Sequence, residues 1–191
     1  ISLPRSTAKA IAEQVGRDVS WLALGECGAD VAMLEEQTLP TLEEEVTRCS
    51  GKGEKVDAVV VMCGLNDIKV CCLHMQPWLH AGVFRRRLRH FAESLHETAG
   101  ADCHVLLLGC PMEKGPRFAD VWPMCLFINT VVRRWEAQKR EVAADAGHAR
   151  RLRYMPNPTG MNRELHFCCD GMHPNDLGCA APCGSAAVSD V

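Results

Sequence analysis

Between Leu79 and Thr98 the apolar positions Phe84, Leu88, Phe91 and Leu95 recur at spacings of four, three and four. That rhythm is one face of an amphipathic helix. Arg85, Arg86, Arg87 and Arg89 fall largely outside the stripe and read as its solvated face rather than as a phosphate-binding patch. Val121, Cys125, Ile128, Val132 and Trp135 predict a second long helix. Near the start, Pro4 suits a first helical turn, and alanines with Ile11 and Val15 carry a helix to Gly16. Leu34 to Arg48 reads as one or two acidic helical pieces broken at Pro40.

Between these segments lie short apolar runs. Val56 to Cys63 (VDAVVVMC) is almost continuously apolar and β-branched, as in a parallel strand covered on both faces. His104 to Cys110 (HVLLLGC) is a second buried strand. Val19 to Leu24 (VSWLAL) and Arg151 to Met155 add two more, and Asn175 to Ala181 predicts a short closing helix. Strand and helix alternate, which predicts an α/β architecture of layered helices on a parallel sheet. The alternation opens on a helix, where compact three-layer sheets usually open on a central strand. No internal repeat or linker breaks the 191 residues, so one domain is expected.

Composition narrows the classes. Apolar residues make up 47% and charged residues 24%, an ordinary globular balance, and the net charge of −3 gives no bulk surface for a polyanion such as nucleic acid. No apolar run reaches the roughly 20 residues of a membrane span. The chain begins at Ile1 without a basic-apolar leader and reads as the continuation of something longer. Twelve cysteines are many, but a chain of this length builds a core without staples, and Cys63, Cys110 and Cys125 sit within apolar runs. Reduced structural thiols are expected, and with them a reducing compartment such as cytosol or an organelle interior. His166, Cys168, Cys169, Cys179 and Cys183 crowd the end of the chain without the spacing of a zinc module. Cys71-Cys72 and Cys168-Cys169 read as loop thiols. Trp78, Trp122 and Trp135 read as core filler. The glycines form no nucleotide-binding pattern, so no cofactor and no metal are expected.

Three segments carry candidate chemistry at strand ends, where reactive residues gather in open α/β sheets. Gly25 to Asp30 holds two glycines three apart, a loop able to point backbone N–H groups into a crevice. Gly64-Leu65-Asn66-Asp67 follows the VDAVVVMC run; Asn66 offers an amide donor for a developing oxyanion, and Asp67 can fix the loop by accepting backbone N–H bonds. Asp170-Gly171-Met172-His173-Pro174 places a carboxylate where it can orient an imidazole base.

A glycine loop, VVVMCGLNDIK and DGMHPNDLG, in that order, resemble the SGNH (GDSL-like) hydrolase family from about Leu3 to Gly178. The resemblance implies a flavodoxin-like three-layer α/β/α sandwich with a five-stranded parallel sheet, and ester hydrolysis through a serine acyl-enzyme. It implies Gly28 and Asn66 as oxyanion donors, Gly64 as the motif glycine, His173 as general base and Asp170 as its orienting carboxylate. Departing from the pattern, residues 1–191 contain no Gly-Asp-Ser nucleophile block, and the first strand that carries it is missing too. Ser6, Ser20, Ser50 and Ser94 lie in no matching context, and Cys27 does not occupy the nucleophile's position. In the family that first strand runs between the second and third. Its loss would leave unpaired backbone groups, each worth roughly 1–3 kcal/mol when buried. The expectation is therefore an upstream segment carrying strand and serine, or another segment filling the slot. Two functions follow: an esterase acting on a small carboxylic ester or thioester, or a catalytically silent domain serving as a binding or structural subunit beside a protein partner.

Overall fold

A computed structural model describes residues 3–74, 77–110, 121–145 and 151–157. The described parts of residues 1–23 and 121–128 fall in one compact unit, and residues 24–110 with 129–156 in another. Eight elements are described. They are α1 (Leu3–Val15), α2 (Val31–Ser50), β1 (Ala58–Val61), α3 (Leu65–His74), α4 (Pro77–Ala99), β2 (His104–Leu108), α5 (Met124–Ala144) and β3 (Leu152–Met155).

The larger unit is built on a parallel sheet in the order β1-β2-β3. Val59 pairs with Val105, and Leu106 with Arg153, so all three strands end on the same side. Gly109 N–H donates to the Met155 carbonyl at 2.8 Å and continues the β2–β3 ladder past its last paired residues. Crossover helices join successive strands, α3 and α4 between β1 and β2 and α5 between β2 and β3, as parallel pairing requires. Phe84, Leu88, Phe91 and Leu95 are all buried, which bears out the α4 stripe. Phe84 meets Trp135 of α5 with ring centroids 5.7 Å apart.

Several local expectations are corrected. Residues 18–26, with VSWLAL among them, form neither helix nor strand, and Trp21 and Leu22 are exposed. An extended segment becomes a strand only against a neighbour's ladder, and none is found for it among the described residues. β1 is covered on the side of Val59 and Val61 only, whereas Val60 is 41% and Met62 60% exposed. As an edge strand of the described sheet it lacks the second covered face of a central strand. Pro40 does not break its segment: α2 runs continuously from Asp30, whose carboxylate caps it by accepting the Met33 N–H at 2.9 Å. Pro40 forgoes one backbone bond on the exposed side, and burial of Val31 and Leu42 holds the helix together. Cys71 and Cys72, read as loop thiols, lie in α3 and are helical. Trp122 is 76% exposed rather than core, while Trp135 is buried as expected.

Candidate functional site

Two loops meet at the carboxyl end of β1. The chain leaves the strand through Met62 and Cys63, turns at Gly64 and enters α3 at once. Gly64 has φ 106°, a left-handed backbone that side chains rarely adopt. A Cβ there would lie 3.3 Å from Lys139 Cε and 3.5 Å from Phe84 Cζ, so the lysine stem would have to give by a few tenths of an ångström to admit one. The Gly64 carbonyl accepts the Ile68 N–H at 3.0 Å, starting the helix.

That turn presents Asn66 and Asp67 to the loop before α2. Asn66 Nδ2 donates to the Ala29 carbonyl at 2.9 Å. An amide nitrogen has two hydrogens, and among the described residues only Ala29 takes one. Gly28, at φ 79° and exposed, precedes the accepting residue, and its N–H donates to no acceptor among the described residues. Asn66 and the Gly28 loop are thus physically joined although they stand far apart in sequence. Cys27 beside them is an exposed free thiol.

Asp67 ties the same loops from beneath. Its Oδ1 accepts the Val31 N–H at 3.4 Å, a long bond, and its Oδ2 is buried with no partner among the described residues. Burial pushes its carboxyl up to about 6, and the nearby Asp30 charge adds to this, against the lowering effect of the Val31 N–H and Arg87. Burial pushes the Cys63 thiol up to about 12, which makes it a structural rather than a nucleophilic group.

A second polar cluster flanks the turn, unforeseen in the sequence. Glu136 and Lys139, one turn apart on α5, are 7% and 1% exposed. Lys139 Nζ donates to the Leu108 carbonyl at 2.8 Å and to Glu136 Oε1 at 3.1 Å. Oε1 also accepts the Cys110 N–H at 2.9 Å, and Oε2 accepts the Tyr154 hydroxyl. The signal was available: Ile128, Val132, Trp135, Lys139 and Val142 are spaced four, three, four and three, so a lysine sits within the buried stripe. The arginine face of α4 is solvated, with Arg85 paired to Glu141, Arg87 3.8 Å from Asp30 and Arg89 2.7 Å from Asp145.

Asp170 and His173 lie outside the described residues, as do the 166–183 cysteine-histidine segment and the 175–181 helix. No described helix is long and apolar enough to cross a membrane. The six cysteines whose side chains are described are free thiols.

The arrangement defines a parallel α/β protein with its donor-bearing loops at a strand's carboxyl end, the usual ligand position in open sheets. The model of the GDSL-like Lipase/Acylhydrolase family matches residues 2–181, and the chain belongs to that family. Acyl-ester hydrolysis is the general activity of its class. No curated protein matches the chain.

Proposed function

We propose that the chain forms most of a single SGNH-type serine esterase domain that hydrolyses a small carboxylic ester or thioester. The serine nucleophile, which no Gly-Asp-Ser within residues 1–191 supplies, comes from a segment preceding Ile1. The hydrogen bond from Asn66 to Ala29 carries this reading, because it joins the turn that bears Asn66 to the loop that bears Gly28.

In the proposed reaction the serine hydroxyl attacks the acyl carbon while His173, oriented by Asp170, takes its proton. The carbonyl oxygen becomes an oxyanion that accepts hydrogen bonds from Asn66, Gly28 N–H and the N–H beside the serine. Collapse expels the alcohol or thiol, which takes the proton from His173. Water then repeats the sequence on the acyl-enzyme, releasing the acid and restoring the serine. Neither cofactor nor metal is needed.

The test is the natural, upstream-extended gene product assayed with short p-nitrophenyl esters. Turnover should fall about 10³-fold or more in His173→Ala and about 10²–10³-fold in Asn66→Ala. Turnover indifferent to His173→Ala would overturn the proposal. A residue other than serine at the nucleophile position, together with no turnover, would favour the silent-subunit reading. Abundant thiols support a reducing compartment for either function.

A further inference from the structure

We infer that Lys139 and Glu136 are positioning residues for the Asn66 donor, acting through the Gly64 turn; the inference rests on the oxyanion role proposed for Asn66. The Lys139 stem passes across Gly64, with its Cε 3.3 Å from where a Cβ would stand, so it backs the turn that aims Asn66. Its ammonium is anchored to the end of β2 at Leu108 O and to Glu136. Glu136 in turn holds the Cys110 N–H beyond β2 and the Tyr154 hydroxyl on β3. One pair of side chains on α5 therefore references the β1 turn to the adjacent strand β2 and to β3 beyond it.

Stability alone is a poor account of such a pair. Taking both charges out of water is costly, and apolar replacements of similar volume are often no less stable. What apolar side chains cannot supply is the set of directional bonds. Those bonds fix the height of the lysine stem, and the stem fixes how far the Gly64 backbone can move. A turn shift of about an ångström would move the Asn66 amide out of reach of an oxyanion, and misplacement of that size typically costs about 10²-fold in rate.

The experiment reads the Asn66 amide directly, by side-chain NMR and hydrogen exchange on the upstream-extended protein. Lys139→Met with Glu136→Gln removes both charges together, so neither is left buried alone. Exchange of the Asn66 side-chain hydrogens should quicken about tenfold and their resonances should shift. Leu95→Ala, a cavity variant elsewhere on α4, should leave both unchanged at equal or greater loss of stability. Tyr154→Phe, a milder change, should quicken exchange about twofold. Unchanged Asn66 signals in the double variant, or equal changes in Leu95→Ala, would overturn the inference. If the double variant does not fold, Tyr154→Phe decides by the same criterion. In the upstream-extended protein, kcat for a p-nitrophenyl ester should fall with KM held. Absence of wild-type turnover there counts against the hydrolase reading alone, since the amide signals decide the positioning role independently.

Discussion

Glu136 and Asp67 are two carboxylates buried to nearly the same degree, 7% and 9% exposed, and the fold treats them in opposite ways. Glu136 meets a backbone N–H, an ammonium and a phenol, so each oxygen has a donor. Asp67 has one long bond to Val31, and its second oxygen has no partner among the described residues. Both sit beside the same turn, Glu136 through Lys139 and Asp67 as part of it. Burial alone therefore does not decide how well a carboxylate's oxygens are satisfied; the donors facing them do. One side of the turn is held by a satisfied network, and the other by a carboxyl that burial pushes up to about 6.

The sharpest way to break this comparison is to remove one partner of the satisfied network. Lys139→Met leaves the Glu136 carboxylate buried without its counter-charge, a change that typically costs about 3–5 kcal/mol. Urea unfolding should show that loss, and adding Glu136→Gln should recover most of it. A double variant as unstable as the single one would mean that Lys139 acts by packing alone.

The second prediction uses the proton on Asp67. Its folded value of about 6 stands above the ordinary 3.8, so the folded state binds a proton that the unfolded state has released between those values. The associated stability is fully present below about pH 4 and is lost as pH rises through about 6. The shift corresponds to roughly 2–3 kcal/mol. Asp67→Asn should remove this slope while keeping an oxygen for the Val31 N–H. Chemical unfolding of both proteins from pH 4 to 7 checks it, with the difference between the two curves as the measured quantity. Parallel curves would show that Asp67 titrates alike in the folded and unfolded states and carries no such linkage.

The same contrast explains what could be read from the sequence. Helix α4 was legible because a one-sided helix writes burial directly into spacing, and Phe84 through Leu95 kept that period without interruption. The turns at Gly64 and Gly28 were legible because a left-handed backbone favours glycine. Strand status at Val19–Leu24 was not, since a strand is a relation to a neighbour rather than a property of a segment. α3 was missed because its short apolar run has no sustained period. Glu136 and Lys139 were hidden by their charge, which ordinarily marks a solvated position. Only the place of Lys139 inside the α5 stripe betrays that it had to find a partner.

A third carboxylate tests how far the rule extends. Glu141 lies two residues beyond Lys139 and pairs with Arg85 across the α4–α5 groove, with both side chains close to half exposed. Water already solvates each charge, so the pair gains little from its Coulomb attraction and loses side-chain freedom in forming. Arg85→Ala and Glu141→Ala should each change stability by less than about 1 kcal/mol, with a coupling between them of a few tenths. Raising the salt concentration should erase that coupling while leaving the Lys139–Glu136 coupling almost intact, because a buried pair is screened far less. A double-mutant cycle at low and high salt measures both quantities. A coupling at Glu141 as large as that at Glu136 would show that donor geometry acts without burial, and the contrast between Glu136 and Asp67 would then rest on geometry alone.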